Sequence, residues 1–221
     1  MCVITINQNK KLNKEDIKKI WNSNPDGAGI IYYKNGQLKF LKGIMNLKKF
    51  LEIYEKIELP HVVHFRLASI GKVVPELTHP FPVYETNKIQ GKSKLLFAHN
   101  GHIGNYEILY HYLTELGIKF DANVNDSYVL ARSLSLLPEN KIDDFLNKVM
   151  GGSKIILTYP DYQIKKFGNF IEEDGIEYSN ITWAYGYYDY YKKYYNKSLG
   201  FETYIPYKYR IDEDEEKNWL S

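Results

Sequence analysis

Met1-Cys2-Val3-Ile4-Thr5-Ile6 opens the chain and sets the only cysteine of 221 residues at the head of an apolar, β-branched run. The run predicts a short buried strand over 2–7. Cys2 then has two readings. Free cysteine is among the most buried residue types and packs as a small hydrophobe, so one is an inert core thiol. The other starts from size: cysteine is small enough for the initiator methionine to be removed. One residue then carries both a thiol of pKa ~8.5 and an α-amine of pKa ~7.7–8.0, a nucleophile with its own base attached. An N-terminal amine that activates its own side chain is a recognised form of covalent catalysis. Position alone favours the core thiol, so the decision rests with the rest of the chain.

Outward from that strand, Asn13 predicts a cap for a helix through Glu15-Asp16-Ile17-Lys18-Lys19-Ile20-Trp21, with acids in its first turn as the helix dipole prefers. Ala28–Tyr33 and Gln37–Leu41 flank Asn35-Gly36, a strong hairpin signal. Asn46 predicts the cap of a second helix, with Leu47, Phe50, Leu51, Tyr54 and Ile57 at helical spacing and Pro60 as its end. His61–Ala68 reads as a strand carrying Arg66 at its downstream end, and a long irregular stretch, 70–93, comes after it. Lys94–His99 is an apolar strand stopped by Asn100-Gly101. Helices are predicted over Tyr106–Leu116, Ser127–Leu137 (capped by Asn125 or Asp126) and Ile142–Met150. A hairpin over 153–167 and a last strand, 176–183, complete the order. Strands, then helices, then strands predict an α+β fold with largely antiparallel sheets and no βαβ rhythm.

The composition narrows the function. With 44% hydrophobic residues the chain can bury a real core, and a net charge of +2 advertises neither nucleic acid nor an anionic membrane. A single cysteine excludes an intrachain disulfide framework and suits a reducing, cytoplasmic setting. No stretch reads as a signal peptide or a membrane span. From 184 onward the sequence becomes a Tyr-rich, acidic appendage. Its interleaved Tyr and Lys can stack on single-stranded nucleic acid, but the run Asp212–Glu216 argues against that partner.

Four segments place polar groups at strand ends or helix starts. Arg66, in His64-Phe65-Arg66-Leu67-Ala68-Ser69, can grip a carboxylate through two parallel hydrogen bonds or pair with a local acid. Asn100-Gly101 is either the hardware of an oxyanion hole or an ordinary turn. Asp126 is either a helix cap or a receiver for an ammonium group. Asp26-Gly27-Ala28-Gly29 is a plain turn or a wall that keeps backbones close. His61 and His64, three apart, face opposite sides of a strand. No His, Cys or acid group has zinc-like spacing, no glycine-rich phosphate loop appears, and Ser153 and Ser179 lack the setting of a nucleophile elbow.

In this order, Cys2, Asp26-Gly27-Ala28-Gly29-Ile30, His64-Phe65-Arg66-Leu67-Ala68-Ser69, Thr78-His79-Pro80-Phe81, His99-Asn100-Gly101-His102-Ile103-Gly104-Asn105 and Asn125-Asp126-Ser127 resemble the glutaminase domain of class II glutamine amidotransferases. These belong to the N-terminal-nucleophile hydrolases. The resemblance covers 2–183 and implies a four-layer αββα sandwich of two mostly antiparallel sheets between helical layers. It implies that Cys2 attacks the side-chain amide of glutamine with its own α-amine as base, and that Asn100 and the Gly101 N–H hold the oxyanion. Arg66, assisted by Ser69, would take the substrate α-carboxylate and Asp126 its α-ammonium. No metal or organic cofactor is implied.

Departures from the family pattern stand at Val3 (often Gly), Ile70 (often Thr- or His-like), Ser23-Asn24-Pro25 (where many relatives carry an Arg) and Tyr128 (commonly an acid). None removes a group assigned above. The segment after Trp183 is too short for a synthase domain, so the resemblance implies a free-standing glutaminase with a separate ammonia-accepting synthase protein as partner. Two alternatives stand beside it. One is an amidohydrolase of the same type acting on a γ-glutamyl or other small amide. The other is a non-catalytic binding module that keeps Met1.

Overall fold

The computed structural model describes residues 1–85 and 87–184; the appendage assigned to 184–221 lies outside the described residues from Tyr185 onward. The chain opens with β1 (Val3–Asn7) and turns into α1 (Lys14–Ser23), capped by Asn13, whose side-chain oxygen accepts the Asp16 N–H at 2.8 Å. β2 (Ala28–Lys34) and β3 (Gln37–Ile44) form the expected hairpin, with Asn35 and Gly36 both at positive φ, 54° and 67°. That is the conformation a two-residue turn needs to match the strand twist.

Asn46 caps α2 (Leu47–Tyr54) by accepting the Lys49 N–H at 3.1 Å. This helix stops at Tyr54, well before Pro60, because the Lys56 and Ile57 N–H groups bond three residues back and tighten the last turn. β4 (His61–Phe65) is shorter than predicted and leaves Arg66 just past its end. Among its described residues the irregular stretch holds a 3-10 turn at Pro75–Leu77, β5 (Phe81–Pro82) and β6 (Gln90–Lys92). β7 (Leu96–Asn100), α3 (Tyr106–Glu115), α4 (Asp126–Leu134) and α5 (Glu139–Val149) come next, and the chain returns through β8 (Lys154–Thr158), β9 (Ile164–Phe167), β10 (Ile171–Glu173) and β11 (Ile176–Tyr178).

Among the described residues these strands form two sheets, ordered β10-β11-β1-β4-β2-β3-β6 and β5-β7-β8-β9, with every neighbouring pair antiparallel. The sheets pack face to face: Ile4, Ile6, Phe40 and Val62 of the first meet Leu96, Ala98 and Ile156 of the second. On the outer face of the first sheet, the Phe65 ring lies 6.4 Å from Trp21 of α1 and 5.1 Å from Phe50 of α2. On the outer face of the second, Phe97, Ile155 and Leu157 pack with Tyr128 and Leu130 of α4 and Ile142 and Leu146 of α5. The fold is the αββα sandwich that the sequence predicts.

β1 sits inside the larger sheet, between β11 and β4, and is buried on both faces. Its isoleucines face the second sheet, while the polar Thr5 and Asn7 on the other face are buried too, satisfied in part by each other: Asn7 Nδ2 donates to Thr5 Oγ1 at 2.8 Å. Each fully buried isoleucine there contributes about 1.5–3 kcal/mol of apolar transfer. The predicted last strand ends early, at Tyr178, because Ser179 and Asn180 turn their side chains back onto the start of β1.

Close approach is built in at Gly29 of β2, where an added Cβ would fall 1.9 Å from the His79 carbonyl oxygen and 2.9 Å from Lys42 Cβ. The obstructing atom is backbone and cannot rotate away. Gly29→Ala is therefore expected to lower the unfolding free energy by about 3 kcal/mol, at the upper end for overpacking. Urea denaturation checks it as a lower midpoint at unchanged slope.

Candidate active site

Cys2 stands one residue before β1, and its backbone is held from both sides. Asn180 Nδ2 donates to the Cys2 carbonyl at 2.6 Å, and Asn24 Nδ2 donates to the Met1 carbonyl at 2.7 Å. The sulfur meets the chain leaving β4: the Leu67 N–H donates to Sγ at 3.4 Å, and the thiol reaches the Leu67 carbonyl at 3.5 Å. Burial pushes the thiol pKa up, while the Leu67 hydrogen bond, the chain terminus and the Arg66 charge pull it down and burial wins. Met1 itself is 63% exposed.

The Asp26-Gly27-Ala28-Gly29 segment is a wall and not a free turn. Asp26 N–H bonds the Arg66 carbonyl, the Arg66 N–H bonds the Gly27 carbonyl, and Asp26 Oδ2 accepts the Ala68 N–H at 2.8 Å. These bonds fix residues 66–68, which carry the sulfur contact.

Arg66 is buried, and its guanidinium donates to the Lys72 carbonyl at 2.9 Å and the Ile70 carbonyl at 3.2 Å. Among the described residues no carboxylate forms an ion pair with it. Of its five N–H donors, three remain for a ligand. Burial lowers its pKa from the ordinary value.

Asn125 takes the cap of α4, accepting the Tyr128 N–H at 2.8 Å. Asp126 is thereby free for another task. Its Oδ2 accepts the Ile103 N–H at 3.0 Å, and its Oδ1 accepts the Ser127 N–H at 2.8 Å and the Ser127 hydroxyl at 3.3 Å. A carboxylate has about four lone-pair sites, so one acceptor position on Oδ2 remains.

Gly101 comes directly after β7 with φ 154°, and a Cβ there would fall 2.2 Å from Ser153 Oγ and 2.8 Å from Ser153 Cα. Only glycine fits between β7 and the start of β8. Asn100, buried at the end of β7, turns its carboxamide to Ser179 Oγ at 2.9 Å, and the other end of the amide has no partner among the described residues.

Cys2, Arg66, Ser69, Gly101 and Asp126 line one partly open cleft. Asn100 is the exception among the residues named from sequence, since it is not part of that lining. His79 and His99 complete the wall. They belong to a buried group of three: the His64 and His79 rings stack at 4.0 Å, and His99 lies 6.5 Å from His79. His64 Nε2 donates to the His99 carbonyl at 3.0 Å, so its neutral Nδ1 is a bare acceptor. Burial pushes His64 down to about 3 and His99 to about 4, and holds His79 well below its usual value. Among the described residues, both ring nitrogens of His79 and Nε2 of His99 lack partners. Among the described residues no group of three or more His, Cys, Asp or Glu side chains is placed to hold a metal ion, and no helix is long and apolar enough to cross a membrane.

Sequence reasoning missed Asn24, Ser179 and Asn180 as parts of the site. Their signal is tertiary: each acts on residues 1–4 or on Asn100 across a sequence separation no periodicity reports.

No protein-family model matches the chain, and no curated protein matches it by sequence. Solved structures do match. One, described as the allosteric regulatory enzyme of purine biosynthesis, aligns at TM-score 0.58 and 18% identity over 80% of this chain and 41% of its own. Another, glutamine phosphoribosylpyrophosphate amidotransferase from B. subtilis complexed with ADP and GMP, aligns at TM-score 0.56 and 18% identity over 81% of this chain and 42% of its own. The chain thus spans less than half the length of either. The likeness shows the fold alone: this chain shares the architecture of the aligned part of these two chains.

The raised thiol pKa gives a pH signature. Burial disfavours the thiolate, so in chains whose intact mass retains Met1 the thiolate fraction at neutral pH falls below that of a free thiol. Iodoacetamide modification of Cys2, measured by mass spectrometry, is expected to accelerate as pH rises, with a midpoint above that of a free cysteine thiol. A midpoint below that value would mean that the positive neighbours outweigh burial.

Proposed function

We propose that the chain hydrolyses the side-chain amide of glutamine through a thioester on Cys2. The observation that carries this reading is the convergence of Cys2, Arg66, Ser69, Gly101 and Asp126 on one cleft at the head of β1. Removal of Met1 converts the Cys2 nitrogen into an α-amine. Sγ attacks the amide carbon while that amine takes the thiol proton, and the carbonyl oxygen becomes an oxyanion. Asn100 and the Gly101 N–H are the donors assigned to it. Loss of one such donor costs about 2.7–4 kcal/mol of barrier. Collapse of the intermediate breaks the C–N bond, and the α-ammonium gives its proton to the departing ammonia. Water, deprotonated by the amine, then attacks the thioester, releasing glutamate and restoring the thiol.

The substrate grips are a matter of spare valences. The three free N–H groups of Arg66, with Ser69 beside them, suit an α-carboxylate. The remaining Asp126 acceptor suits an α-ammonium. Gripping both ends favours a free amino acid over a γ-glutamyl peptide or another small amide. The ammonia is assigned to a separate ammonia-accepting synthase protein, in the reducing, cytoplasmic setting that a single cysteine suits. A second reading, a binding module that keeps Met1, draws on the hydrogen bond from Asn24 to the Met1 carbonyl.

Intact-mass measurement and then a glutamine-dependent ammonia assay test both. The expected result is a chain lacking Met1 that releases ammonia, with Cys2→Ala reducing turnover to background. Asp126→Asn is expected to raise KM for glutamine at least tenfold, because a neutral amide cannot charge-pair an ammonium. Retention of Met1 together with no glutamine-dependent ammonia would overturn the glutaminase reading in favour of the second.

A further inference from the structure

Ser179 joins the two catalytic strands. Its Oγ accepts the Ile4 N–H of β1 at 2.9 Å, its own N–H bonds the Ile4 carbonyl at 2.9 Å, and its Oγ lies 2.9 Å from the Asn100 carboxamide. Ser179 is 2% exposed and Asn100 is 1% exposed, so no bulk water serves either. The two ends of a carboxamide are told apart only by their partners. With Nδ2 toward Ser179, the hydroxyl accepts two N–H groups, its own proton has no acceptor, and Oδ1 is a buried orphan. With Oδ1 toward Ser179, Ile4 donates to Oγ and the hydroxyl proton goes to Oδ1. Every atom of the Ser179 group is then used, and the unpartnered end of Asn100 becomes Nδ2, a donor. An orphaned acceptor would repel an oxyanion; an orphaned donor is what an oxyanion satisfies.

We infer that Ser179 is a positioning residue: its hydroxyl donates to Asn100 Oδ1 and thereby leaves Nδ2 unspent as the oxyanion donor. The Ile4 N–H fixes the direction of this bond, since it occupies Oγ as an acceptor and leaves the single hydroxyl proton for Asn100. This rests on the glutaminase reading, and it adds to it a residue that touches neither nucleophile nor substrate.

The test compares Ser179→Thr with Ser179→Val in the processed protein, two side chains of one shape that differ in the hydroxyl. Ser179→Val is expected to lower kcat for ammonia release roughly 10²-fold, the scale of losing one oxyanion donor, with KM for glutamine unchanged. Ser179→Thr is expected to recover most of that loss. In an Asn100→Ala background, Ser179→Val is expected to cost nothing further, because the group it orients is gone. Equal losses in the Thr and Val variants, or a Val penalty undiminished in the Asn100→Ala background, would overturn the positioning role while the glutaminase reading stands. A wild-type protein that releases no ammonia from glutamine would overturn both.

Discussion

The double-sided burial of β1 is the constraint on which the site depends. Ile4 and Ile6 are sealed against the second sheet, Val3 is buried on the opposite face, and both strand edges are paired. A strand so enclosed cannot slip by one residue without driving Thr5 and Asn7 into the apolar space between the sheets and breaking the ladders on both edges. The residue just before it is therefore fixed in space although it lies almost at a chain end, where order is usually weakest. Asn180 and the Leu67 N–H complete the fixation at the Cys2 carbonyl and sulfur.

The second organising feature is the economy of the loop after β4. Arg66 spends two donors on the carbonyls of Ile70 and Lys72, so the guanidinium shapes its own loop while keeping three donors free. Lys42 does similar work further along. Buried beneath Phe81, it bonds the Glu76 carbonyl and the Asn87 side chain, and burial pushes its pKa far down. Two basic side chains thus organise a stretch with little regular secondary structure, through carbonyl acceptors that would otherwise be costly to bury.

Much of this was legible from local sequence. Asn13, Asn46 and Asn35-Gly36 act through bonds or torsions within four residues, so their signals survive without tertiary information. The order of the motifs pointed to the αββα sandwich. Legibility failed where a residue had two competent local roles or a distant partner. Asn125 and Asp126 are equally good caps on paper; the Ile103 N–H, across the fold, claims Asp126 and leaves the cap to Asn125. β10, three residues with two acids, has no alternation to detect. Ser179 could not be tied to Asn100, 79 residues away, by any spacing rule.

The three clustered histidines carry a last consequence. Burial takes His64 down to about 3 and His99 to about 4 and holds His79 well below the ordinary imidazole range, so the three rings are neutral at neutral pH. A wall that looks like a proton reservoir is therefore electrically silent. The charges that act on the sulfur are those of Arg66, Asp126 and the chain terminus. The rings act there as flat, polarisable, hydrogen-bonding surfaces, and the cleft gains polarity without gaining buffering capacity.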